Sequence, residues 1–305
     1  MSEYIQVREV GLRDGLQLIK TRLKTAIKKE WLKKQIDAGF KEIEITSIVP
    51  KKTLPQFSDA AEMINFSNKL PNSLATVLIP NIKGAELAFQ AKAKKVIFVV
   101  SASESHNLAN VKMTVERSLD ELQTIIAKRD CNDNTKNIKI IGSISTAFGC
   151  SISGKVPENK VLKIVEKMLR VGVDEISIAD TVGYANPRYV SALFKKVLQL
   201  SETVPVIGHF HDTQGFGLAN VVAAIDQGVN KFDASLRGLG GCPYAPGATG
   251  NIATEDCINL IESMGYDTGV SIKKLAQLCK LLENWLPKER LHGKLIDSPR
   301  NSKVI

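Results

Sequence analysis

The feature that most restricts the fold of this sequence is a junction that recurs three times: Gly39-Phe40-Lys41-Glu42-Ile43, Gly172-Val173-Asp174-Glu175-Ile176 and Gly228-Val229-Asn230-Lys231-Phe232. In each, a glycine supplies the left-handed residue that closes a helix, and a polar pair leads into an apolar run. A chain that repeats helix, cap and strand in series builds a parallel sheet, because parallel neighbours need a crossover between them. Eight strand-like runs fit, over 5–11, 42–49, 74–80, 95–101, 138–147, 175–181, 204–210 and 231–237. Helix-sized stretches separate them; in 158–170, Val161, Ile164, Val165, Met168 and Leu169 share one helical face. The pattern predicts an α/β fold, a (β/α)8 TIM barrel forming a single domain over residues 1–305, with residues 270–305 as C-terminal helices and a polar tail. An open doubly wound sheet is the alternative, but no GxGxxG follows the first strand.

Composition excludes several classes. Hydrophobic residues make up 44% and charged residues 24% of 305 residues, which suits a globular chain and not a disordered or collagenous one. No apolar run reaches the roughly 18 residues of a spanning helix. The opening MSEYIQVREV has neither an apolar signal core nor an Arg/Ser-rich transit stretch. The net charge is +9, with 41 Lys and Arg against 32 Asp and Glu. The lysines are scattered in pairs (Lys28-Lys29, Lys33-Lys34, Lys51-Lys52, Lys94-Lys95, Lys195-Lys196, Lys273-Lys274), mostly where helix surfaces are expected, and aromatics are only 6%. A nucleic-acid groove gathers charge on one face with aromatics beside it. The expectation is therefore solvated helix faces, no nucleic-acid or membrane partner, and a basic surface that steers a polyanionic small molecule. The five cysteines are odd in number and form no CxxC pair, which argues against a zinc finger or disulfide framework and for a reducing cytoplasm.

In such a barrel, chemistry gathers at the C-terminal ends of the strands and in the loops after them. The polar residues that look out of place fall there. The first strand ends in Arg13-Asp14-Gly15, and Glu44 stands among Ile43, Ile45 and Ile48. The sixth strand ends in Asp180-Thr181, the seventh carries His209-Phe210-His211-Asp212, and the eighth runs into a glycine-rich loop that holds Cys242 and leads to Asn251. Residues i and i+2 of a strand point to one side, so His209 and His211 can reach one ion. Asp14 can add a carboxylate oxygen and Asn251 an amide oxygen; this set suits a six-coordinate Mg2+ or Mn2+. Each residue also has a structural reading: core histidines, a turn aspartate, an asparagine helix cap. Their convergence at one end of a barrel favours ligands. Cys242, in a loop with few side chains to pack, is expected to be an accessible thiol, whereas Cys131, Cys150, Cys257 and Cys279 keep a buried structural role. Arg13 would repel a bound cation unless an anionic oxygen lay between them, and a salt bridge to Glu44 or Asp180 is its structural role. Glu44 needs a partner in any case, since an unpaired buried carboxylate is costly. A divalent metal, a cation for an oxyanion and a tunable thiol suit carbon–carbon cleavage beside a carbonyl. The metal would lower the pKa of a chelated hydroxyl, Arg13 would hold the enolate oxygen, and a thiol would reprotonate its carbon.

EVGLRDGLQ at 9–17, EITS at 44–47, DTVG at 180–183, HFHDTQG at 209–215 and GLGGCPYAPGATGNIATED at 238–256 resemble the 3-hydroxy-3-methylglutaryl-CoA lyase family, metal-dependent TIM-barrel lyases related to Claisen synthases. The resemblance covers roughly residues 5–285. It implies cleavage of 3-hydroxy-3-methylglutaryl-CoA to acetyl-CoA and acetoacetate, as in leucine breakdown. It implies Asp14, His209, His211 and Asn251 as metal ligands, Cys242 as the loop cysteine, Arg13 as the substrate-binding residue at the enolate, and Glu44, Asp180 and His209 beside them in catalysis. It also implies a homodimer, and the want of a transit peptide points to a cytoplasmic form. Alternatives are a lyase for a related 3-hydroxy-3-alkylglutaryl-CoA, or a Claisen-type acetyl-CoA/2-oxo acid synthase. Arg237 departs from the small residue usual before the glycine loop and is expected to add a charge near the site. Phe210 and Tyr184 also depart. Lys20 and the Lys51-Lys52 pair are candidates to meet CoA phosphates.

Overall fold

A computed structural model of the chain describes residues 2–72, 74–241 and 250–297. The strands are β1 (Gln6–Glu9), β2 (Glu42–Ser47), β3 (Leu74–Ile79), β4 (Lys95–Ser101), β5 (Lys139–Ser145), β6 (Glu175–Asp180), β7 (Val206–Phe210) and β8 (Lys231–Ala234). They pair in parallel and in chain order, and β8 returns to β1 to close a barrel. Each falls within an expected run. Around them lie α1 (Thr25–Ala38), α2 (Ala60–Ser67), α3 (Ile82–Gln90), α4 (Glu104–Val111), α5 (Val115–Asp130), α6 (Glu158–Val171), α7 (Pro187–Ser201) and α8 (Gly217–Ile225). α9 (Thr254–Ser263), α10 (Ile272–Trp285) and α11 (Lys294–Asp297) come after β8; residues 298–305 of the expected tail lie outside the described residues.

The recurrent glycines close helices as the sequence predicts. Gly39, Gly172 and Gly228 have φ of 111°, 91° and 100°, and a β-carbon at 39 would also run into the Gly269 carbonyl. The polar pairs behind these glycines lead into the strands, and the second residue of each pair (Glu42, Glu175, Lys231) turns into the barrel. Glu42 accepts hydrogen bonds from Lys231 Nζ at 2.7 Å, Lys95 Nζ at 3.0 Å, Thr76 Oγ1 at 3.0 Å and Arg8 Nη1 at 3.4 Å. Glu175 accepts from Lys95 at 2.6 Å and Lys231 at 2.9 Å. Burial alone would raise the Glu42 carboxyl, but Arg8, Lys95 and Lys231 outweigh it and bring it down to about 2. Lys95, read from sequence as part of a solvated pair, is thus buried, and so is Lys28, which binds Asp59 at 2.8 Å.

One step further along the strands, Ile97, Ile141 and Ile207 form an apolar layer inside the barrel. The alternate residues face outward to the helices. Phe210 is one of these: its ring packs 6.0 Å from Phe194 and 6.3 Å from Phe148, away from the barrel axis. Cys150, Cys257 and Cys279 are buried as expected, but Cys131, at the end of α5, is exposed.

Glu9 closes β1. It accepts from the amides of Gly11 at 3.1 Å and Leu236 at 2.7 Å, and from the Gln35 side chain, so it ties the turns after β1 and β8 together. Burial pushes its carboxyl up to about 8 from an ordinary 4.5, against the pull of the two amides. A carboxyl raised by folding gives stability that is full below its unfolded value and is lost as pH rises through its folded value. Glu9→Gln should therefore flatten the fall in unfolding free energy between pH 5 and 8, by up to about 1.4 kcal/mol per pH unit, in chemical denaturation at stepped pH. Glu42→Ala, which strips three buried cations of a shared carboxylate, should lose about 3–5 kcal/mol in the same measurement at pH 7. A loss within about 1 kcal/mol of zero would mean that solvent reaches this layer.

Candidate metal centre and active site

The C-terminal mouth of the barrel opens into a cavity of about 220 Å³. Its floor includes Arg8, Asp233 and Ile97, its polar wall Arg13, Asp14, His209 and His211, and its apolar wall Val49, Leu54, Leu78 and Val99.

Arg13 and Asp14 do not end a strand as expected. β1 stops at Glu9, and a π-helical turn over Gly11–Gly15 comes next. The amides of Arg13, Asp14 and Gly15 converge on the Val10 carbonyl at 3.1, 2.7 and 3.3 Å, which winds the chain over the barrel mouth. Gly15 permits the winding, since a β-carbon there would lie 2.9 Å from Ser235 Oγ.

His209 lies in β7, and His211 stands just beyond it on the same side. The chain at 250–252 returns alongside: Asp212 N donates to Gly250 O at 2.9 Å and Ile252 N to Phe210 O at 3.2 Å, which sets Asn251 beside His211. Asp14 Oδ2 then lies 2.7 Å from Asn251 Nδ2, 3.7 Å from His211 Nε2 and 4.0 Å from His209 Nε2. One ligand atom from each of Asp14, His209 and His211 falls within 4.8 Å of the others. The residues fit a cation. Asn251 Oδ1 is buried without a hydrogen-bond partner among the described residues, beside a carboxylate and two imidazoles. Burial would raise the Asp14 carboxyl, but Arg13 and the two histidines hold it well below the usual range, so it is an anion at any ordinary pH.

Arg13 lies against Glu44 as a fork, Nε to Oε1 at 2.7 Å and Nη2 to Oε2 at 2.9 Å, while Nη1 reaches Asp14 Oδ1 at 2.6 Å and Gln17 Oε1 at 3.3 Å. Of the two partners expected from sequence, Glu44 is the one it takes. Burial pushes the Glu44 carboxyl up, and the guanidinium across both its oxygens pulls the other way. Asp180 faces the backbone of its own loop: its oxygens accept from Tyr184 N at 2.9 Å and Ala185 N at 3.0 Å. Neither Glu44 nor Asp180 is among the residues that line the cavity, and the oxygens of each carboxylate accept the hydrogen bonds just described. Cys242 lies outside the described residues; Gly241, next to it, lines the cavity.

Arg237 points elsewhere than expected. Its guanidinium runs away from the cavity to Asp297 at 3.1 Å, Glu283 at 3.3 Å and the Gly293 carbonyl at 3.3 Å, and so fastens α10 and α11 to the turn after β8. Tyr184 is exposed and does not line the cavity. Lys20, Lys51 and Lys52 are exposed, and Thr53 and Leu54, next in the chain, line the mouth.

Three cavity residues, Arg8, Asp233 and His106, escaped the sequence reading. Asp233 accepts from His209 Nδ1 at 3.1 Å and from Arg8 Nε and Nη2, both at 2.7 Å. His106, at the start of α4, meets Ser101 Oγ through Nδ1 at 2.7 Å, and burial lowers its pKa. A signal existed for Asp233: counted in twos from Lys231, it faces the barrel axis as His209 does in β7. His106 carried none beyond the rarity of histidine.

The model of the HMGL-like family matches residues 4–282. The hydroxymethylglutaryl-CoA lyase of Bacillus subtilis is 36% identical over 285 residues, covering 93% of this chain and 94% of that protein. The mitochondrial hydroxymethylglutaryl-CoA lyase of Arabidopsis thaliana is 36% identical over 273 residues, covering 90% of this chain, which spans only 58% of that longer protein. An HMG-CoA lyase from Acinetobacter baumannii, solved in complex with coenzyme A and 3-methylmalate, superposes with a TM-score of 0.92 at 38% identity, covering 98% of this chain and 96% of that one. The family model spans almost the whole barrel, including every residue brought together at its mouth, and the chain belongs to the HMGL-like family.

Proposed function

We propose that this chain is a divalent-metal-dependent lyase that cleaves 3-hydroxy-3-methylglutaryl-CoA to acetyl-CoA and acetoacetate. The observation that carries the reading is the convergence of Asp14, His209, His211 and Asn251 beside the Glu44-held Arg13 at one barrel mouth. The ligands bound to the Acinetobacter relative, coenzyme A and a branched hydroxy acid, support the substrate class.

Asp14, His209, His211 and Asn251 would hold the metal, which we take to be Mg2+ or Mn2+ from its nitrogen and oxygen donors. When bound, it supplies a Lewis acid that orients the hydroxy acid and acidifies its 3-hydroxyl. With Nδ1 tied to Asp233, His209 has one nitrogen left for the site, so we assign it as a ligand and not as the base. As solvent at the open mouth takes the hydroxyl proton, the C3–O bond becomes a carbonyl, the C2–C3 bond breaks, and its electrons pass to the thioester oxygen as an enolate. Of the five donors of Arg13, Glu44, Asp14 and Gln17 occupy four among the described residues, and the second Nη2 hydrogen is left for that oxygen. Cys242 is assigned as the acid that returns a proton to C2, which balances the proton lost from the hydroxyl. Glu44 and Asp180 act by position, Glu44 by aiming Arg13 and Asp180 by bracing the loop after β6. The apolar wall of Val49, Leu54, Leu78 and Val99 excludes water from the enolate. A homodimer in the cytoplasm belongs to the same proposal and rests on the family resemblance and the cysteine usage.

Purified protein should release acetyl-CoA and acetoacetate from 3-hydroxy-3-methylglutaryl-CoA only when supplied with Mg2+ or Mn2+. Activity that survives thorough chelation would overturn the metal assignment. A panel of longer 3-hydroxy-3-alkylglutaryl thioesters, read by mass spectrometry, tests the acyl group; a preference for one of them would replace the substrate but keep the chemistry. Cys242→Ala should lower turnover by about a hundredfold or more, whereas a near-normal rate would leave the thiol without a catalytic part.

A further inference from the structure

We infer that Asp233 is a positioning residue for His209, turning the ring so that Nε2 alone faces Asp14, and that Arg8 in turn fixes Asp233. The inference rests on the metal reading above and adds two residues to it that lie beneath the ligands.

The three side chains form one rung of the barrel. Arg8 in β1 is the register partner of Asp233 in β8, and Asp233 is the register partner of His209 in β7. Partners in adjacent parallel strands point the same way, here toward the axis. Backbone pairing, and no loop, therefore sets their spacing.

Each contact removes a freedom. Arg8 meets Asp233 as a fork, Nε to Oδ1 and Nη2 to Oδ2, both at 2.7 Å, which fixes the plane of the carboxylate. Its third nitrogen, Nη1, is held by Glu42 at 3.4 Å. Asp233 Oδ2 then meets His209 Nδ1 at 3.1 Å. A carboxylate can only accept, so Nδ1 carries the hydrogen, and in the neutral ring Nε2 keeps its lone pair. Nε2 lies 4.0 Å from Asp14 Oδ2, among the proposed ligands. His211 has no matching support, for its Nδ1 is without a hydrogen-bond partner among the described residues. The rung also leaves no room for Asp233 as a proton carrier: both its oxygens are occupied, and it is 2% exposed.

Asp233→Asn tests the assignment. The amide keeps the shape, but its NH2 turned to the ring would place the hydrogen on Nε2, the tautomer that cannot ligate. In the full-length chain without substrate, Mn2+ affinity measured by calorimetry should fall about 10- to 100-fold. The ring 15N shifts of His209, read by NMR in the metal-free protein, should move from the Nδ1–H to the Nε2–H pattern. Arg8→Lys, which keeps the charge and loses the fork, should weaken Mn2+ binding several-fold and mix the two tautomers; it decides the matter should Asp233→Asn not fold. Mn2+ affinity within about twofold of wild type and unmoved ring shifts in either folded variant would overturn the inference. A wild-type chain that binds no Mn2+ would overturn the metal reading instead, and the ring shifts would still report on the Asp233 contact by themselves.

Discussion

The axis of this barrel holds charge, and it can do so because the cations that point into it lie within hydrogen-bond reach of carboxylates that do the same. Arg8, Lys95 and Lys231 face Glu42, Glu175 and Asp233, three cations against three carboxylates. An isolated ion in such a place would cost several kcal/mol, so the set stands or falls as a unit. The site is built on top of this set. Asp233 belongs to both, since one of its oxygens faces Arg8 below and His209 above.

The same rule governs the mouth. Glu44 is buried deep in β2 and would be a costly anion by itself; the Arg13 fork offsets that cost and is held by it. Arg13 next reaches Asp14, and Asp14 reaches Asn251. The chain of contacts joins β2, the turn after β1 and the segment after β8; at the extremes, Asp14 and Asn251 stand 237 residues apart in sequence. These contacts place Arg13 and Asp14 without help from a ligand, and electrostatic stabilisation of a developing oxyanion requires donors placed in advance.

Much of this was legible in the residues. The glycine caps and alternating runs located the eight strands, and the HxH at 209–211 located the candidate ion site. Two misreadings share one cause. Lys95 looked like half of a solvated pair, and Arg237 like a charge at the site. Each side chain was judged by its neighbours in sequence, but its partner lies elsewhere: Glu42 for Lys95, and Asp297 for Arg237. Asp180 could be read as a structural acceptor or a proton carrier; the amides it meets belong to its own loop, and only the folded turn after β6 presents them.

Period and cap chemistry are local properties of the chain, so the alternation of strand and helix, the places where helices stop and the residue types able to bind a cation could be read from the residues. Which charges face inward and which meet depends on the folded barrel. Barrel closure sets the register that puts Arg8, Asp233 and His209 on one rung, and the winding of Gly11–Gly15 over the mouth brings Asp14 to the histidines. Those are distances between remote parts of the chain, fixed only when the last strand pairs with the first.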